Sequence, residues 1–297
     1  MTYADEHAER FTHLRPLLFT IAYEILGSVT ETDDVLQDAY LRWAEVDLST
    51  VRDTRSYLAR IVTRQALNAL RAGARRREQY VGPWLPEPLL HDERDPSADA
   101  VLAESVSMAM LVLLETLSPD ERAVFVLREV FGFDYGEIAA AVGRLEPAVR
   151  QMAHRAREHV QARRPRFEPV DPRRQAEITE QFFATATSGD VPALMRMLAP
   201  DATWIADGGG KVSAARQPVV GAARVAAMIA GLVRMGLPDL RVEMATCNSA
   251  PAMLVKSGDR LDLVVTVDIV GDRITTIYAI RNPDKLAALT PARPISR

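Results

Sequence analysis

The sequence predicts a multidomain chain: two all-α modules followed by an α+β domain. Three observations predict it. Apolar residues recur at three- and four-residue spacing over residues 11–77 and again from 101 to about 160, the period of helices with one buried face. Prolines cluster at Pro83, Pro86, Pro88 and Pro96, and again at Pro165, Pro169 and Pro172, where no regular helix interior continues. Beyond Pro172, helical stretches give way to strand-like runs separated by turn residues, the order expected of an α+β domain.

Taken in order, Leu14, Leu17, Leu18, Ile21 and Ile25 mark a first helix that ends at Gly27. Thr30 and Asp33 resemble a helix start, followed by Val35, Leu36, Ala39, Tyr40 and Trp43. Leu58, Ile61, Val62 and Ala69 mark a third helix. A helical stretch from Val101 is broken at Ser118-Pro119 and at Gly132. In the last part, helices are expected over Ala176–Thr187, Val191–Leu198 and Ala222–Met235. Strands are expected over 202–206, 240–246, 252–257, 261–270 and 274–279. The expected domains are 1–78, a Pro-rich linker 79–100, 101–164 and 172–297.

Composition narrows the function. With 297 residues, 48% of them hydrophobic and 26% charged, the chain is not a disordered or fibrous protein. Its single cysteine, Cys247, excludes a disulfide framework and fits a reducing compartment. The opening MTYADEHAER lacks the order of a signal peptide, and no apolar run reaches the ~18 residues of a membrane span. A cytoplasmic protein without a membrane partner is expected. His7, His13, His91, His154 and His159 show no metal-ligand grouping, so no metal is expected. Gly208, Gly209 and Gly210 lack the Walker spacing, and nothing implies a cofactor.

The net charge of −4 hides segregation. Seven arginines and no acid lie between Arg55 and Arg77, and seven more arginines lie between Arg144 and Arg166. An acidic connector, Glu87 to Glu104, separates them. Two basic blocks suit nucleic-acid phosphates, although solvated helix faces produce the same pattern.

The most specific signal is DYGEIAAAVGRLEPAVRQMAHRAREHV, Asp134 to Val160. A short helix with Ile138, Ala139 and Val142 meets Gly143, where a turn is easy, and a second helix starts near Glu146-Pro147. On it Val149, Met152, Ala153, Ala156 and Val160 share an apolar face, while Arg150, His154 and Arg157 share another. This is a helix-turn-helix pattern with a basic face for the major groove; an ordinary helical hairpin is the alternative.

Here the segment resembles region 4 of the extracytoplasmic-function (ECF) sigma factors of RNA polymerase. Tyr135, Glu137, Ile138, Ala139, Gly143, Val149, Arg150, Arg155, Ala156 and Arg157 carry the likeness, and Leu117–Leu127 is similar to the family's entry into that region. Leu145 departs from it, standing where a serine or threonine cap is usual. Asp33–Trp43 resembles the region 2 motif that docks on the polymerase beta-prime clamp, which implies contacts by Asp33, Asp34, Val35, Gln37 and Asp38. Read alone, Asp34 and Asp38 are more often plain surface acids. Ser56–Arg77 resembles the helix that touches the minus-ten element, implying DNA contacts by Arg60, Arg64, Asn68, Arg71 and Arg75. Val46–Arg55 corresponds to the loop that accepts an unstacked base. In region 4 the resemblance implies DNA contacts by Arg144, Arg150, Gln151, His154, Arg155 and Arg157, and a further contact to the beta flap.

Three short segments are similar to the subgroup of that family fused to a SnoaL-like domain, an α+β cone with a curved antiparallel sheet. They are Tyr80–Pro88 with Trp84, Leu85 and Pro86; Asp207-Gly208-Gly209-Gly210-Lys211; and Asn282-Pro283-Asp284-Lys285-Leu286. The subgroup implies that the fused domain modulates the sigma factor. Trp84 suits either a partner contact or an anchor within the chain.

SnoaL-like cones also occur as enzymes such as ketosteroid isomerase, and Asp207, Asp262 and Asp268 are candidate carboxylates. No His–carboxylate pair accompanies them, so no catalytic residue is assigned, and a small-molecule ligand in the cone stays open. The expected function is a sigma factor that binds core RNA polymerase and promoter DNA. The alternative is a helix-turn-helix regulator answering to a small molecule.

Overall fold

The computed structural model describes residues 3–90, 100–163, 171–236, 239–289 and 295–296. They fall into two units: Met1–Glu78, Arg94–Pro165 and Arg293–Arg297 in one, Gln79–Glu93 and Arg166–Ala292 in the other.

The helical unit begins with α1 (Tyr3–Leu26), α2 (Val29–Trp43) and α3 (Thr54–Glu78). Gly27, at a φ of 67°, makes the break that only a glycine adopts readily, and Ser28 then caps α2 by accepting from the Glu31 amide at 3.1 Å. Leu18, Ile21, Ile25, Leu36, Leu58 and Val62 meet in the core. Trp43 is buried with them and donates its indole N–H to the His7 carbonyl at 2.9 Å.

Five further helices follow: α4 (Ala100–Ser105), α5 (Met108–Leu114), α6 (Pro119–Phe125), α7 (Tyr135–Val142) and α8 (Glu146–Arg163). A wider π-type turn, Val126–Val130, leads out of α6. Asp134 and Glu137 form a reciprocal capping box at the start of α7, and Gly143 closes it with a φ of 70°. Val149, Met152, Ala153, Ala156 and Val160 of α8 are all buried, as their spacing predicts.

One polar cluster is buried in this unit. Glu24 lies 2.6 Å from the Ser105 hydroxyl, which is also 2.9 Å from the Leu102 carbonyl. A hydroxyl has one proton to give, so both contacts are satisfied when Glu24 carries its own. Burial pushes its carboxyl up to about 8, against weaker opposing effects from Ser105 and Arg122.

The second unit contains α9 (Pro172–Ser188), α10 (Val191–Met197), β1 (Leu198–Asp207), β2 (Val219–Val220) and α11 (Ala222–Met235). Then come β3 (Leu240–Cys247), β4 (Ala250–Ser257), β5 (Arg260–Val270), β6 (Arg273–Ile280) and α12 (Pro283–Ala287). The strands form one sheet in the order β2-β1-β6-β5-β4-β3. The sheet is mixed where only antiparallel pairing is expected from sequence: β1 runs parallel to β6. These strands are far apart in the chain with α11 between them, which is how parallel neighbours are connected.

Side chains alternate across the sheet. Trp204, Val265, Val267, Ile277 and Ala279 pack with Phe182, Phe183, Val225 and Ile229 of the helices. Asp207, Val264 and Ile280 stand in register on the reverse face, near α12. The segment Asn282–Leu286 is not a loop but opens α12, with Asn282 as its cap and Pro283 in its first turn.

Candidate nucleic-acid interface

Along α8 the buried positions leave Arg150, Gln151 and His154 exposed on the opposite side. Arg150 is bound to Glu146 at 2.5 Å and lies over the Tyr135 ring at 4.3 Å. His154 is 3.6 Å from Glu158. Arg155 and Arg157, which the sequence groups with them, flank this crest and tie α8 to the preceding elements. Arg155 donates to Glu121 at 3.0 Å and Arg157 to Glu129 at 2.6 Å. The acids reached lie well away in sequence, which charge spacing along one helix cannot reveal. At the head of α8, Leu145 is 79% exposed; its carbonyl accepts from the Val149 amide but it has no side-chain oxygen to cap the helix.

On α2, Asp34, Gln37 and Asp38 are exposed, and Asp33 is half-buried, 3.5 Å from Arg15. Val35 is the exception among the expected contacts. It is buried in the three-helix core because it shares the apolar stripe of Leu36 and Ala39. Leu41, one turn beyond Gln37 and Asp38, is 59% exposed on the acidic side and was not singled out by sequence. An apolar side chain beside exposed acids is what a docking face presents.

The basic side of α3 is turned toward the helix-turn-helix. Arg64 donates to the carbonyls of Ala140 at 2.8 Å and Ala141 at 3.3 Å, at the negative end of α7. Arg55 donates to the Phe131 carbonyl at 3.2 Å and stacks on Phe133 at 4.4 Å. Arg60 lies over Tyr57 at 4.7 Å, and Asn68 is exposed. The side chain of Arg75 lies outside the described residues.

Asp120, at the start of α6, binds Arg71 of α3 and also takes Arg144 at 2.7 Å. Burial opposes its ionisation, but the hydrogen bonds from Arg144 and Arg71 outweigh that and hold its carboxyl below the usual value. One carboxylate thus occupies two of the expected DNA-contacting arginines, one from each helical module. Sequence reading placed Asp120 in the Leu117–Leu127 segment without a role.

The three short motifs of the second unit meet at one place. Asp207 is fully buried. Its Oδ1 accepts from the Tyr80 hydroxyl at 2.5 Å and the Gly209 amide at 3.0 Å. Its Oδ2 accepts from the Leu85 amide at 2.9 Å and Lys285 Nζ at 2.7 Å. Lys285 also donates to the Leu85 carbonyl and sits 4.0 Å from the Trp84 ring. Asn282 donates to the Tyr80 oxygen at 2.7 Å. Burial, then the Asp207 carboxylate, pushes the Tyr80 phenol far above its ordinary value, keeping it a donor.

Two of the glycines are demanded by this packing. A Cβ on Gly209 would lie 2.4 Å from Asn282 Nδ2, and one on Gly208 would lie 2.6 Å from the Val212 carbonyl oxygen. Lys211 pairs with Asp284 at 2.5 Å on the exposed rim. Pro86 and Leu286 are buried beside the lock. Leu89 exchanges hydrogen bonds with Asn248, which extends the hold from Tyr80 to Leu90.

The other candidate carboxylates stand apart. Asp262 is bound by Arg260 at 2.7 Å. Asp268 accepts from the Tyr278 hydroxyl at 2.7 Å, and burial pushes its carboxyl up to about 6.

A three-helix module with exposed acids on α2, followed by a helix-turn-helix with a basic crest, is the arrangement of a sigma factor of the sigma-70 type. Residues 10–76 match the family model of Sigma-70 region 2, residues 107–160 that of Sigma-70 region 4, and residues 179–283 that of the SnoaL-like domain. The chain is 34% identical to the ECF RNA polymerase sigma factor SigJ of Mycobacterium tuberculosis, over 93% of this chain and 91% of that protein. It is 30% identical to the probable ECF RNA polymerase sigma factor SigI of the same species, over 93% of each. The crystal structure of Mycobacterium tuberculosis SigJ superposes with a TM-score of 0.76 at 30% identity, covering 95% of this chain and 99% of that one. The chain belongs to the ECF RNA polymerase sigma factors. It is a transcription-initiation factor with a DNA-binding region 4 and a fused SnoaL-like domain, and sigma factors bind core RNA polymerase and promoter DNA.

Proposed function

We propose that this sigma factor keeps its two promoter readers closed on each other when free, and that core RNA polymerase parts them. The observation that carries this is the Asp120 carboxylate held by Arg71 and Arg144 together. In the open form, α3 binds the minus-ten element through Arg60, Arg64, Asn68, Arg71 and Arg75. The crest of α8 reads the minus-thirty-five element through Arg150, Gln151 and His154, with Arg144, Arg155 and Arg157 at its margins. Asp33, Asp34, Gln37 and Asp38 engage the beta-prime clamp, with Leu41 as an apolar anchor, and region 4 engages the beta flap. We place this work in the cytoplasm. Among the described residues no helix is long and apolar enough to cross a membrane.

The fused domain restrains the opening through the linker. The chain between α3 and α4, residues 79–99, reaches at most ~70 Å when fully extended. Residues 80–90 of that stretch are held by Asp207, Lys285, Asn282 and Asn248, and so are withdrawn from its reach. We assign the cone no catalysis, because Asp207 is occupied by four donors, Asp262 by an arginine and the buried Asp268 by the Tyr278 hydroxyl.

Asp120→Ala tests the proposal. It frees Arg71 and Arg144, so the free chain should bind promoter duplex several-fold more tightly at low salt, measured by fluorescence anisotropy. Run-off transcription with purified core polymerase should rise in parallel. A folded variant with unchanged affinity and output removes the closed arrangement.

A further inference from the structure

We infer that β3 is the seam of a homodimer, pairing antiparallel with β3 of a second copy about a two-fold axis through Val242. Among the described residues β3 ends the sheet. Its Leu240, Val242 and Met244 are 49%, 40% and 48% exposed, although Val255 and Met253 beside them on β4 belong to the core. A long apolar edge left open in this way is a template for another strand.

The backbone is aimed correctly. Asn248 and Ser249, at φ of 52° and 58°, form a two-residue turn closed by the Cys247–Ala250 pair. In such a hairpin the closing pair exchanges both hydrogen bonds, and so does every second pair behind it. Ala245, Glu243 and Arg241 therefore spend their backbone groups on β4. Leu240, Val242 and Met244 direct theirs outward. The usable edge has five residues. Leu90 bridges Cys247 at one end, and Asp239 turns away with a φ of 51° at the other.

Those five residues, Leu-Arg-Val-Glu-Met, complement themselves when reversed. With the axis at Val242, Leu240 faces the copy's Met244 and Val242 faces its equivalent, giving one apolar stripe. On the other face, Arg241 meets Glu243 of the copy, twice. Within its own chain Arg241 stands opposite Lys256, a like charge, and its nearest acid is the exposed Asp259 at 4.0 Å. An axis at Arg241 or Glu243 sets identical charges against each other. An axis at Met244 runs the strand into the Leu89–Leu90 segment.

Analytical ultracentrifugation of the full chain across micromolar concentrations should show a reversible dimer. Val242→Pro removes an outward N–H and leaves the β4 ladder intact, so it should give a folded monomer. Arg241→Glu and Glu243→Arg should each weaken the dimer about tenfold or more by opposing like charges. The double exchange should restore it. A monomer at every concentration overturns the inference, as does a dimer insensitive to both single reversals. A double exchange no better than the singles overturns it too.

Discussion

The lysine at the centre of the linker lock and the arginines of α8 are both cations bound to carboxylates, yet they do different work. Lys285 is buried, with Asp207, the Leu85 carbonyl and two aromatic rings around it. Its charge has no water to return to, so the pair is kept only while every partner stays in place. Arg150 and Arg155 face solvent, where an ion pair contributes about 0–1 kcal/mol and can be exchanged for a phosphate at little cost. Burial thus turns the same chemistry from an exchangeable contact into a fixed joint. The first kind lines the helix proposed to read DNA, and the second grips the linker.

The largest effect is expected from breaking the joint. Lys285→Met leaves Asp207 buried without its counter-ion, which should cost about 3–5 kcal/mol in the C-terminal unit, read by denaturant unfolding. Replacing Asp207 and Lys285 together by apolar residues should not recover that loss, since the Tyr80 hydroxyl and the Leu85 and Gly209 amides would then lack their acceptor. A single variant as stable as the parent would mean that the site is wetter than its geometry shows.

Glu24 sharpens the comparison, since it is buried without a cation bound to its carboxylate. Its folded value of about 8 stands above the ordinary 4.5. The contribution is therefore complete below about pH 4.5 and is lost as pH rises toward 8. Glu24→Gln should flatten that slope and stabilise the helical unit at pH 8 by about 2 kcal/mol. Thermal unfolding at pH 5 and pH 8 decides it, and a variant with the parental slope would place the titration elsewhere.

The smallest stability effect is expected on α8. Arg150→Ala should change stability by less than about 1 kcal/mol, as an exposed pair does. Its effect belongs to promoter recognition, where a base-contacting arginine is worth about 1–3 kcal/mol at one base position. Binding to a set of single-base promoter variants separates that from a phosphate contact, which would weaken all of them alike.

Much of the helical unit was legible because helix periodicity is local. The stripe on α8 and the break at Gly143 follow from residues within a few turns of one another. The acidic row on α2 was legible too, and the apolar spacing of Val35 with Leu36 and Ala39 marked it as buried, although the motif resemblance counted it among the contacts. Burial of that position follows from α1 and α3 packing on α2. The faces of α8 were read by spacing, and the assignment of Arg157 beside Arg150 changed once Glu129 was seen to hold it. A side chain at the margin of a helix face goes to whichever partner the neighbouring element supplies.

The sequence by itself determined the order of modules, the helix-turn-helix and the turn-rich character of the last segment, since each rests on contacts or propensities a few residues long. Only the tertiary structure decided that Asp120 joins Arg71 to Arg144. It alone brought Tyr80, Asp207 and Lys285 to one buried point from three distant segments, and it alone set β1 parallel to β6. The reason is common to all three. Each depends on which distant groups share a low-dielectric or hydrogen-bonded neighbourhood, and nothing in local spacing encodes that distance.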